Sequence, residues 1–309
     1  MKGAAAAALP PDLVMLERGW LSSNSLLMLD DPRGAVLVDT GYCTHKAQTL
    51  LLVQTALGSQ PLRLIVNTHL HSDHCGGNAH LSDHFGCPVG VPPGHFQAAV
   101  EWDQSVLSFD ATGQNCERFT PALRLEPGSR FLQSRREWHI HAAPGHDAHS
   151  VLLFEPESGV LMSADALWEH GFGIVFPELD GEPGFDDVEA TLDLIASLPA
   201  RIVIPGHGSL FTDVAQALVE AHSRLAFFKA NPRRHARHAA KALLKYRLLE
   251  VQLQSREELL NWLRQTPIHQ QLWRQFYASI RIDAWSLELI DELVKSDALR
   301  IAGNYIHNS

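Results

Sequence analysis

Residues 69–74 read His69-Leu70-His71-Ser72-Asp73-His74, four groups able to bind a metal within six positions. Imidazole nitrogen and carboxylate oxygen bind zinc-type ions at about 2.0–2.2 Å. On an extended strand exit, His69 and His71 stand at i and i+2, so they point the same way and can grip one ion. Asp73 and His74 lie past a bend where a helix starts and can face a second ion nearby. Two metals about 3.5–4 Å apart can share a bridging hydroxide, so the chemistry in reach is metal-assisted hydrolysis. Four ligands do not complete two coordination shells. The rest must come from other strand ends where small residues let the backbone approach, and three places qualify: Pro144-Gly145-His146, Ser163-Ala164-Asp165 and Pro205-Gly206-His207-Gly208.

Each of these places follows a strand-like run. The apolar runs 12–17, 26–29 and 35–38 read as strands, the last closed by Asp39-Thr40-Gly41, and 44–57 has helical spacing ending at Gly58. Residues 63–68 predict a buried strand leading straight into the histidine run. The alternation continues with helices over 76–84, 95–102 and 185–198 and strands over 87–91, 137–142, 151–154, 159–162 and 201–204, and 105–150 reads as strands joined by loops. After Thr212 the pattern turns helical. Amphipathic helices are expected over 214–230 and 233–249, a third begins at the capping box Ser255/Glu258, a fourth at Thr266-Pro267, a fifth spans 285–295, and 298–306 resembles a small hairpin. The expectation is a mixed α/β domain over 1–212 and a mostly helical domain over 213–309.

Composition narrows the class. The chain of 309 residues is 45% hydrophobic and 19% charged, against roughly 25% charged for an ordinary domain, so it can bury a sizeable core. The net charge of −10 disfavours its whole surface as a nucleic-acid or anionic-membrane binder. No apolar run approaches the roughly 18 residues of a membrane span, and the N-terminal alanine stretch is too short for a secretory signal. With four cysteines and no CxxC pair, the thiols are expected reduced and the protein cytoplasmic. Eighteen histidines stand out, six of them between 69 and 95 and four between 139 and 149.

The HxHxDH run at 69–74, the strand end Val38-Asp39-Thr40-Gly41, Pro-Gly-His at 144–146 with Ser150 beyond it, Asp165, and Pro-Gly-His-Gly at 205–208 occur in one order. This set resembles the metallo-β-lactamase superfamily over about residues 12–212. The resemblance implies an αβ/βα four-layer sandwich with the metals along one sheet edge. It implies that His69, His71 and His146 hold one metal, Asp73, His74 and His207 the other, and that Asp165 bridges them. Asp165, a carboxylate rather than a cysteine, looks more like the dinuclear glyoxalase II and lactonase side. The implied activity is hydrolysis of a small ester-like substrate, a thioester or lactone, by a hydroxide bridging two divalent metals, zinc or else iron or manganese. Asp73 would also take the water's proton.

Beyond Asp165, His170, Phe172 and Phe176 are expected to line a substrate pocket. His80, His84, His139 and His141 read as structural, and Cys75 as a buried inert thiol. Seven of the 25 basic residues fall between Lys229 and Arg247 with no acidic residue among them. That stretch opens an alternative, an RNA phosphodiester hydrolase using the basic helix, although a solvated or salt-bridged face is the plainer reading. The helices and hairpin are weakly similar to the winged-helix tails of some superfamily members. A third reading is a metal-bearing ligand sensor or scaffold without turnover. None of these patterns specifies an oligomeric state.

Overall fold

A computed structural model describes residues 8–309. Eleven strands form two sheets: β1 (Leu13–Leu16), β2 (Ser25–Met28), β3 (Ala35–Val38), β4 (Leu62–Val66), β5 (Val89–Val91) and β6 (Leu123–Arg124) in one, and β7 (Arg130–Gln133), β8 (Arg136–Ala142), β9 (Val151–Glu155), β10 (Val160–Ala164) and β11 (Ile202–Pro205) in the other. The first runs β1-β2-β3-β4-β5-β6, antiparallel up to β3 and parallel from there. The second runs β11-β10-β9-β8-β7, with only β10 and β11 parallel.

The sheets face each other across one apolar core. Leu26, Met28, Val36, Val38 and Val66 meet Trp138, Ile140, Val151, Leu153, Met162 and Ile204 in it. Alternate residues point the other way along each strand. Leu27, Leu37, Ile65, Leu152, Leu161 and Val203 are as deeply buried as the inward set. Both outer faces are therefore covered too, which requires the four layers of an αβ/βα arrangement. The helix Gly184–Ser197 shows how: Phe185, Val188, Leu192 and Ile195 recur at helical spacing and are buried.

Grouped by compactness, the described residues up to Asp103 join Cys116–Leu225 in one unit, and Gln104–Asn115 join Ala226–Ser309 in a second. These units differ from the expected 1–212 and 213–309 at two places. The first reaches Leu225, inside the continuous helix Val214–Ala230. The segment after Asp103, expected as strands and loops, instead holds the short helices Gln104–Leu107 and Phe109–Thr112, which belong to the second unit.

The second unit packs its helices around Trp285, whose ring stacks on His269 and Tyr277 at 4.5 and 5.0 Å. Ser255 caps the helix Arg256–Gln265 with the expected reciprocal box to Glu258. The expected hairpin, β13 (Leu299–Ala302) and β14 (Tyr305–Asn308), gains a third strand, β12 (Leu253–Ser255), on β14. The basic helix Pro232–Val251 is not an open cationic face. Arg237 pairs with Glu288 and Glu292, Lys241 with Glu292, and Arg247 with Glu250, while Lys245 donates to the Ala298 carbonyl. Arg233 lies over the Tyr277 ring.

Among the described residues no helix is long and apolar enough to cross a membrane. Trp138 is fully buried between the sheets. Removing such a side chain leaves a cavity, so Trp138→Ala is expected to lower unfolding stability by about 3–5 kcal/mol, read as a fall in the urea midpoint.

Candidate metal centre

The centre is built at strand ends. β4 leaves the sheet at Val66, and the chain runs through Asn67 and Thr68 to His69 before turning at His71 into the short helix Ser72–Cys75. His146 follows β8, Asp165 directly follows β10, and His207 comes two residues after β11. Two of the turns use a left-handed backbone that costs a side-chain-bearing residue: Asp39 after β3, at φ 58°, and Ala164 at φ 48°. At Ala164 the pairing of β10 with β11 slips, and this slip turns Asp165 inward. Asp165 also needs Gly206 beside it, because a Cβ there would stand 2.0 Å from Asp165 Oδ1. Gly173 makes the same room for the His146 ring.

Seven side chains converge in two groups, His69 with His71 and His146, and Asp73 with His74, Asp165 and His207. Within the first, His71 Nδ1 lies 3.1 Å from His69 Nε2 and 2.7 Å from His146 Nε2. Asp165 Oδ2 touches both groups, 3.3 Å from His146 Nε2 and 3.5 Å from His74 Nε2. Asp73 Oδ2 lies 3.0 Å from His207 Nε2.

The outer nitrogens decide what the inner ones offer. Thr68 donates its hydroxyl to Asp39 Oδ2, so toward His69 the same oxygen accepts the Nδ1 proton at 3.1 Å. His74 Nδ1 donates to Asp39 Oδ2 at 2.8 Å, and His146 Nδ1 to the Ile174 carbonyl at 2.6 Å. With Nδ1 held outside, His69, His74 and His146 turn Nε2 toward the centre. His74 Nε2 is buried and has no hydrogen-bond partner.

The electrostatics follow. Burial, then the neighbouring imidazoles, pushes His69 well below its usual range, and burial with His146 pushes His71 down to about 4. Burial alone would raise Asp165, yet His74, His207 and His146 outweigh it and hold the carboxylate ionised. Burial likewise works against charge on His74, but Asp165, Asp39 and Asp73 override it and draw positive charge to that spot. Imidazoles held neutral at His69 and His71, an ionised carboxylate at Asp165 and a spot at His74 where positive charge is favoured make a donor set that fits divalent cations. These His and Asp groups are able to bind metal.

The superfamily described as "Metallo-beta-lactamase superfamily" has a family model that matches residues 18–207. The chain belongs to the metallo-beta-lactamase superfamily. It is 26% identical to acyl-coenzyme A thioesterase MBLAC2 of Gallus gallus over 176 residues, 54% of this chain and 63% of that protein. It is 29% identical to a hydroxyacylglutathione hydrolase of Cyanothece sp. over 162 residues, 50% of this chain and 54% of the relative. The matches thus span less than two thirds of either relative's length. A metallo-beta-lactamase family protein of Thermus thermophilus shares the fold, with a TM-score of 0.59 at 22% identity over 98% of this chain and all of that one.

The three residues expected to line a pocket part company. Phe176 packs its ring 4.8 Å from His71 and 5.7 Å from His146. Phe172 is a core residue, buried to 2% exposure. His170 is 75% exposed and pairs with Glu220 on the helix Val214–Ala230. Aromatic cover at the other end comes instead from Trp20, stacked 5.2 Å over His207, and from Trp168, whose Nε1 donates to Asp165 Oδ1 at 3.1 Å. Trp168 stands three residues after Asp165, in the stretch where a pocket was expected, whereas Trp20 follows no motif and its place could not be read from spacing. Asp39 and Thr68 carried a signal, a polar residue directly after an apolar strand run and another directly before the histidines. Since Gly206 has no room for a methyl group, Gly206→Ala is expected to displace Asp165 and weaken zinc binding by at least about 10-fold in chelator competition, with far-UV circular dichroism unchanged.

Proposed function

We propose that this chain is a dinuclear metallohydrolase acting on a small ester-like substrate, a thioester or lactone, with residues 1–212 as its catalytic domain. The observation that carries the reading is Asp165 Oδ2, placed within 3.5 Å of a histidine Nε2 in each of the two groups. In this reading His69, His71 and His146 hold one divalent ion, Asp73, His74 and His207 the other, and Asp165 spans both. Zinc suits the nitrogen and oxygen donors, as do iron and manganese. Bound there, two such ions supply Lewis acidity and a water made acidic enough to ionise near neutral pH.

The chain's own groups have separate tasks. Asp165 is fixed by the Trp168 indole, which leaves Oδ2 for the centre. Asp73 is the more exposed carboxylate, 12% against 6%, and so is the one placed to accept and hold a proton from water. Phe176 at one end and Trp20 at the other offer apolar surface to an acyl or thiol portion of the substrate, and Trp20 remains 56% exposed. The thioester choice is supported by the names of the relatives, an acyl-coenzyme A thioesterase and a hydroxyacylglutathione hydrolase, and the lactone by the chemical kinship of the two bonds.

The RNA reading loses its support in the second unit, where Arg237, Lys241 and Arg247 are matched by glutamates. A screen of acyl thioesters, lactones and phosphodiesters with zinc-loaded protein tests the assignment. Thioester or lactone turnover is expected to disappear on chelation, return with zinc, and fall more than about 100-fold in Asp165→Asn, a larger loss than removal of an outer partner brings. It is expected to vary little with salt, whereas each phosphate contact to RNA would make binding steeply salt-dependent. Full thioester turnover by metal-free protein would sink the proposal.

A further inference from the structure

Asp147 lies outside the ligand set yet is buried against it. Its Oδ2 stands 3.9 Å from His71 Nε2 and 3.6 Å from His95 Nε2, and Oδ1 accepts from the His149 backbone N–H at 2.8 Å. Among the described residues no lysine or arginine pairs with it, and the groups that offset its burial are His95, His71, the His149 amide and His146. A buried carboxylate without a cation is costly unless N–H groups surround it.

His71 is the one member of its group turned the other way round. His69 and His146 present Nε2 and keep Nδ1 outside, whereas His71 presents Nδ1, so its Nε2 faces Asp147. On the far side of the centre a carboxylate also stands behind a converging histidine: Asp39 accepts from His74 Nδ1 at 2.8 Å, a closer contact than the 3.9 Å between Asp147 and His71 Nε2. His95 reaches Asp147 from the helix Pro93–Glu101, and Gly94 beside it leaves room for the His149 ring. A Cβ at Gly94 would collide with His149 Nδ1 at 2.3 Å, and the His95 and His149 rings pack edge to face at 4.8 Å.

We propose that Asp147 is a positioning residue for the His69, His71 and His146 metal site: it fixes the tautomer and ring orientation that aim His71 Nδ1 inward, and His95 in turn holds Asp147. The proposal rests on the ligand assignment above. Carboxylates that orient a metal-bound imidazole typically contribute 10–100-fold to metal affinity.

Zinc competition with a chromophoric chelator, on the full chain, reads both sites directly. In Asp147→Asn one of the two zinc affinities is expected to fall 10–100-fold while the other stays within about twofold. Asp39 stands behind His74 directly and behind His69 through Thr68, so in Asp39→Asn both affinities are expected to weaken, and cobalt absorption spectra of the two variants are expected to differ accordingly. His95→Ala is expected to weaken the same site as Asp147→Asn and to add little in the double variant, as for residues acting in one chain. It carries the comparison by itself should Asp147→Asn not fold. Wild-type protein that takes up no zinc overturns the ligand assignment and this proposal together. Two zinc ions bound with unchanged affinities by Asp147→Asn, or by His95→Ala if that is the variant that folds, overturn this proposal alone.

Discussion

The structure depends on bringing imidazole nitrogens and ionised carboxylates together in a buried volume. Left to themselves these groups repel or stay unsatisfied, and the interior offers no water to soften the cost. The protein accepts that arrangement by holding the outer nitrogens of His69, His74 and His146 in hydrogen bonds. One carboxylate, Asp39, does much of this work, accepting from both Thr68 and His74 and, at Oδ1, from the Thr68 amide. The inner nitrogens cannot rotate away from one another without breaking those bonds, so the site is prepared before any cation arrives.

Such a centre cannot be assembled on one element, and this explains the sandwich. The donors come from the ends of β4, β8, β10 and β11, which bring segments far apart in sequence to one edge. Two sheets buried on both faces keep those ends from drifting. The local exceptions to regular geometry gather at this edge: left-handed Asp39 and Ala164, the slip between β10 and β11, and glycines whose missing Cβ is replaced by a ligand's own side chain. Backbone strain is tolerated where the surrounding layers leave the chain no alternative.

The convergence of the two groups was legible in the sequence because residues suited to metal binding are marked by two rules at once, residue type and position after a strand. His69, His71, Asp73, His74, His146, Asp165 and His207 satisfy both. The pocket residues obey neither rule, since any apolar side chain can line a cavity. Phe172 and Phe176 are four residues apart and alike in type, yet one is core and the other faces His71. His170 drew notice for its place just beyond Asp165, and its partner Glu220 lies fifty residues away. The basic stretch left two readings open for a similar reason, and its ion pairs agree with the salt-bridged one. Its neutralising glutamates at 288 and 292 sit on another helix, so the sequence shows the charge without its match. β12 escaped because three residues carry no readable period.

The burial of the seven converging side chains is uneven. His74 is sealed, whereas His71 and Asp73 keep 13% and 12% of their side-chain surface open. Solvent therefore touches the centre chiefly across these two residues, one from each group. In the proposed reading, a substrate reaching the centre over His71 and Asp73 would also cover the route by which an ion would depart, so that occupancy and retention would be a single kinetic event.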